Sequence, residues 1–133
     1  MAQATDEVRA LAEATFGALN ARDQGAFVAL TTEDVQFTSM VAEAEGETFR
    51  GHAGIRAWWD TVLRPFQDLR WELLDVGGSG DRAVTHLRMS GTLHGVPVEQ
   101  AMWQGVTLRE GKIAEWTNVR TEREALEAAG LKG

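Results

Sequence analysis

The punctuation of the second half of this chain constrains its fold most. Three short glycine-containing turns, Gly77-Gly78-Ser79-Gly80, His94-Gly95 and Glu110-Gly111, separate four segments in which apolar and polar residues alternate. Segments joined by such short turns pair antiparallel in chain order. The predicted strands run over Leu69–Val76, Arg82–Leu93, Val96–Arg109 and Lys112 to about Arg120. A sheet of this kind has one apolar face, which another layer must cover. The first half supplies that layer. Thr5 to Ala21 repeats Val8, Leu11, Ala12, Phe16 and Leu19 at helical spacing. Asp23 caps a short second helix through Leu30. A third helix runs from His52 to Leu63, with Ile55, Trp58, Trp59, Val62 and Leu63 inward, and Pro65 ends it. Val35 to Ser39 reads as a short strand, with another near Phe49. Thr121-Glu122-Arg123-Glu124 is a capping box that opens a last short helix, ended by Gly130. Helices first and then a long meander predict an α+β fold in one domain spanning 1–133.

Composition narrows the function. The formal net charge is -7 over 133 residues, which argues against a nucleic-acid partner, since phosphates call for a basic face. With no cysteine, disulfides, thiolate catalysis and Cys-based zinc sites are excluded. His52, His86 and His94 have no second histidine at ligand spacing, so no metal is expected, and nothing calls for a cofactor. Glu43, Glu45 and Glu47 read as a wet acidic edge. The N-terminus lacks a signal-peptide pattern and no apolar run approaches the roughly 20 residues of a membrane span. The expectation is a cytoplasmic protein without a membrane partner.

The local sequences carry a resemblance. ALNARDQGAFVALTTEDVQF is similar to the helix–helix–strand opening of the nuclear transport factor 2-like superfamily, and FRGHAGIRAWW to its third helix. REGKIAEW followed by TEREALEAAGL resembles the last hairpin and closing helix of the SnoaL-like, ketosteroid isomerase-like branch. The resemblance implies a cone: a strongly curved antiparallel sheet wrapped around three N-terminal helices, with a deep apolar pocket at its open end. It further implies acid–base work on a small apolar molecule, as in isomerases, cyclases, lyases and epoxide hydrolases. Other members only bind or dimerise.

Strand alternation decides which residues can face such a pocket. On Arg82–Leu93, Leu87 and Met89 share one face, and His86, Arg88 and Ser90 the other. On Val96–Arg109, Gln100, Met102, Gln104 and Val106 oppose Glu99, Ala101, Trp103 and Gly105. On the last strand, Ala114, Trp116, Asn118 and Arg120 share a face. The resemblance makes the first set of each pair concave. The expected lining is Phe16, Phe37, Trp59, Leu87, Met89, Met102 and Trp116, with Gln104, Asn118 and Arg120 as the polar, candidate catalytic points. Gln104 and Asn118 read equally as buried amides satisfied by backbone or water, and Arg120 as a rim residue pairing with the acidic last helix.

The machinery that the resemblance calls for is largely missing. Where the isomerase branch places a tyrosine, an aspartate base and an aspartic acid, this chain has Thr15, Ser39 and Gln104. None is a strong base, although Gln104 can donate a hydrogen bond to an oxyanion. Two readings follow: an enzyme that works by orientation and polarisation, or a binding or dimerisation domain of the same fold. Trp103 between Ala101 and Gly105, with Thr117, Val119, His86 and Arg88 on neighbouring strands, forms a flat outer patch. That patch predicts a homodimer through the outer sheet face.

Overall fold

Asp23 opens the second helix as its side chain predicts, and Thr5 caps the first. The Val8 N–H donates to the Thr5 hydroxyl and the Ala26 N–H to the Asp23 carboxylate. The computed structural model describes residues 3–40 and 46–131. Glu43 and Glu45 of the predicted acidic edge lie outside the described residues, and Glu47 is exposed. The elements in chain order are α1 (Asp6–Asn20), α2 (Gln24–Ala29), β1 (Thr31–Thr38), β2 (Thr48–Arg50), α3 (Gly51–Trp58) with a π-helical turn (Trp59–Leu63), β3 (Phe66–Ser79), β4 (Arg82–Leu93), β5 (Val96–Arg109), β6 (Lys112–Val119) and α4 (Glu122–Ala129). Among these helices none is long and apolar enough to cross a membrane.

The strands form one six-stranded sheet in the order β2-β1-β6-β5-β4-β3. The meander β3–β6 is antiparallel throughout, as the turns predict. The expectation of a wholly antiparallel sheet needs one correction: β1 lies parallel to β6, with Phe37 opposite Trp116. Parallel neighbours require a long crossover. Here that crossover is most of the chain, so no local pattern announces the pairing.

The third predicted helix divides in two. From Trp59 the backbone widens into a π turn, and the Arg64 N–H reaches the Trp59 carbonyl at 2.9 Å. Both Trp58 and Trp59 are buried there. β3 is longer than predicted at both ends, starting at Phe66 and continuing through Gly77, Gly78 and Ser79. Gly78 has φ +115°, and a Cβ on it would stand 2.3 Å from the Arg82 carbonyl oxygen, so the hairpin closes only over a glycine there.

Two irregularities, at Gln67/Arg70 and Leu73/Asp75, bend β3. α1 is fastened to it at both ends. The Thr5 N–H donates to the Gly78 carbonyl at 3.1 Å. At the other end Asn20 bonds Trp71 twice, Nδ2 donating to its carbonyl at 2.9 Å and Oδ1 accepting from its N–H at 2.7 Å. The main core lies between α1–α3 and the concave sheet face. α4 packs on the opposite face, where Ala125, Leu126 and Ala129 meet Val84, with Trp103, Val119 and Leu131 beside them.

Candidate functional site: an apolar cavity and a buried polar row

Of the space between the first and third helices and the sheet, where bulky side chains predict a pocket, the α3 side is filled by those side chains. Phe37 lies 4.4 Å from Trp58 and 5.2 Å from Trp116 between ring centroids. Phe27 stands 5.6 Å from Trp59 and 5.7 Å from Trp116. Leu87, Met89 and Met102 are buried on the same concave face. Phe37, Trp59, Leu87, Met89 and Met102 are thus core residues and do not line the apolar cavity described next.

That cavity lies further along α1, beneath its first turns. α1 contributes Val8, Leu11, Ala12, Thr15 and Phe16. The sheet contributes Ala83 and Thr85 from β4, Val106 and Leu108 from β5, and Ile113 and Trp116 from β6. Its volume is about 30 Å3, room for a water or two. Leu11 and Leu108 are the partly exposed members of the lining, so the cavity meets solvent beside them. Of the expected lining, Phe16 and Trp116 are present, in edge-to-face contact at 6.0 Å. No residue of this lining carries a charge.

Ala83, Thr85 and Val106 were legible from strand alternation, since they share a face with Leu87, Met89 and Met102. Leu108 follows from the same alternation on β5, but Ile113 does not. The β5–β6 register shifts between Thr107 and Leu108, so that Thr107 faces Glu115 but Leu108 faces Ile113. The shift moves Ile113 to the concave side, which strict alternation assigns to Ala114.

Beside the cavity runs a row of buried polar side chains. Thr85, Gln104 and Asn118 are direct neighbours on β4, β5 and β6, and all are at least nine-tenths buried. The Thr85 hydroxyl donates to Gln104 Oε1. Among the described residues Gln104 Nε2, Asn118 Oδ1 and Trp116 Nε1 have no hydrogen-bond partner, and neither has Trp71 Nε1. Buried polar atoms normally find partners, because each one left unpaired costs about 1–3 kcal/mol. Arg120, by contrast, is exposed just beyond β6 and lines no part of the cavity.

The two other positions singled out by resemblance hold bonded neutral groups. The Thr15 hydroxyl donates to the Leu11 carbonyl at 2.7 Å. The Ser39 hydroxyl accepts from Trp58 Nε1 at 3.2 Å. The carboxylates with perturbed acidity are at the surface. Hydrogen bonds from Arg109 and then Thr32 hold Asp34 below the usual carboxylate range, and Arg64 does the same to Asp60, helped by Gln24. Both are weakened as bases.

The fold has known counterparts. Residues 12–116 match the model of the SnoaL-like domain, and the chain belongs to that family. No curated protein matches it in sequence. Among solved structures it is similar to a nuclear transport factor 2-like protein of unknown function from Burkholderia pseudomallei (16% identity, 94% of this chain and 98% of that chain covered, TM-score 0.76). It is similar to a Catenulispora acidiphila protein with a ketosteroid isomerase-like fold, solved with trimethylamine (17% identity, 92% and 93% covered, TM-score 0.73). A third is Rv0760c from Mycobacterium tuberculosis in complex with estradiol-17beta-hemisuccinate (16% identity, 89% and 96% covered, TM-score 0.68). At these identities the likeness is one of fold.

Proposed function

We propose that this protein binds a small apolar, carbonyl-bearing molecule between α1 and the concave face of the sheet, and that it holds this ligand without acid–base chemistry of its own. The observation that carries the reading is the neutral lining of the cavity beside a row of buried amides. Apolar walls with a few fixed polar groups are the usual make-up of a small-molecule site. A base must stand within reach of the proton it takes, and among the described residues no carboxylate or imidazole lines this cavity. The steroid derivative held by Rv0760c in the same fold points to ligands of that class. A bound steroid or polycyclic ketone is far larger than the present cavity, so binding requires Leu11, Leu108 and α1 to move outward.

Ala12 sits buried in the lining with a side chain of one carbon. Ala12→Met fills the cavity at an overpacking cost of about 1–3 kcal/mol. A thermal-shift screen of apolar ketones, lactones and steroids should raise the melting temperature of the wild type and leave Ala12→Met unmoved. Equal shifts in both proteins would place the ligand elsewhere, and turnover of a bound ketone by the wild type would overturn the non-catalytic part of the reading.

A further inference from the structure

The unpaired atoms on the sheet floor are not all of one kind. Gln104 Nε2 and Trp116 Nε1 are donors, whereas Asn118 Oδ1 is an acceptor. Gln104 and Asn118 stand directly opposite each other on adjacent strands, which brings their side chains within about 4.5–5.5 Å at Cβ, yet they make no bond to one another. The Thr85 hydroxyl engages Gln104 Oε1, which commits the Nε2 end to another partner. Thr85 and Trp116 themselves line the cavity; Gln104 and Asn118 follow Thr85 across the sheet outside that lining, so a ligand reaches them only when the cavity widens as binding requires. Among the described residues the immediate neighbours of Thr85 and Gln104 are uncharged: Val76 pairs with Thr85 from β3, and Met102 and Val106 flank Gln104 along β5.

We propose that Gln104 and Asn118 together recognise a neutral group presenting a hydrogen-bond acceptor and a donor on adjacent atoms, the edge of a lactam being the matching chemistry. The ligand carbonyl accepts from Gln104 Nε2, and the ligand N–H donates to Asn118 Oδ1. This rests on the binding reading above and goes beyond it, because two donors around a single oxygen would favour any ketone. A donor next to an acceptor instead rejects a ligand that offers an oxygen in place of the N–H, since the buried Asn118 oxygen then faces a second lone pair. Sites built around such a bond discriminate strongly against analogues that lack it.

The test uses a pair of equal shape, 2-quinolinone (a lactam) and coumarin (the corresponding lactone), with naphthalene as the apolar control. Their dissociation constants are measured by calorimetry on the full chain. The expected result is at least tenfold tighter binding of 2-quinolinone than of coumarin by the wild type. Asn118→Leu should bring the ratio close to one by weakening the lactam, and Gln104→Leu should weaken both carbonyl ligands while naphthalene is unaffected. Equal binding of lactam and lactone by the wild type overturns the proposal and leaves the apolar site standing; a trapped water that satisfies both amides gives that outcome. A ratio that survives in Asn118→Leu also overturns it. If none of the three ligands binds, the binding reading falls as well.

Discussion

Gly105 decides whether α4 can lie where it does. A Cβ at this position would stand 2.4 Å from the Ala125 carbonyl oxygen and 2.7 Å from the Ala128 Cβ. Both contacts are closer than atoms tolerate, so the helix reaches the sheet only over a residue without a side chain. Gly105→Val forces α4 off Val84, and the lost packing and strain should destabilise the protein by about 1–3 kcal/mol. Urea denaturation monitored by tryptophan fluorescence would read this as a lower midpoint, and an unchanged midpoint would mean that α4 contributes nothing to the folded state. The same glycine alters the sequence reading of the outer face. There it counts as one of two small residues flanking Trp103 in an exposed patch, whereas in the structure it is buried beneath the protein's own last helix.

α4 shows how a short element is held by its two ends. At its start the Thr121 hydroxyl accepts from the Glu124 N–H at 3.2 Å and donates to the Glu124 carboxylate at 3.0 Å. At its end Gly130 takes a left-handed turn, φ 75°, and Arg82 reaches from β4 to donate to the Ala129 carbonyl at 2.6 Å. That contact places a cation at the negative end of the helix dipole. Eight residues are too few for a helix to persist alone, so the caps and the small apolar face of Ala125, Leu126 and Ala129 must act together. Thr121→Ala removes the first cap and should cost about 1 kcal/mol. Thr121→Ser should retain most of it, a contrast that differential scanning calorimetry resolves. Equal melting temperatures for all three proteins would assign the helix to packing alone.

The molecule presents two sheet faces with different fates. The concave face is consumed by the core. The convex face is covered by α4 at one end and open at the other, where Trp103 stacks on His86 with ring centroids 4.0 Å apart and planes 3° from parallel. Arg88 beside them is paired with Glu72 at 3.3 Å and Glu99 at 3.4 Å. A half-buried tryptophan next to exposed Ala101, rimmed by compensated charges, fits the composition of a protein–protein interface, and two-fold pairing is the commonest arrangement. We propose that a second copy of the chain covers this half of the face. Sedimentation should then give a dimer for the wild type and a monomer for Trp103→Glu. A wild-type protein that stays monomeric at high concentration, or a variant that still pairs, would refute it.

The sequence by itself determined the elements and the faces. Alternation separated Leu87, Met89, Met102, Gln104 and Trp116 from His86, Arg88 and Trp103, because side-chain direction in a strand depends on residue count alone, and the resemblance made the first group concave. Caps at Asp23 and Thr121 were equally local, since each is a bond spanning three residues. What only the tertiary structure decided depends on separations that no local pattern contains. The parallel pairing of β1 with β6 joins distant segments. The register shift opposite Leu108 turns Ile113 inward. The mutual packing of Phe27, Phe37, Trp58 and Trp59 fills the space beside α3 and leaves the cavity under α1, which Trp116 borders. Apolar bulk announces that a side chain is buried; whether it fills space or borders it is settled by the shapes of its neighbours, which close packing sets across the whole fold.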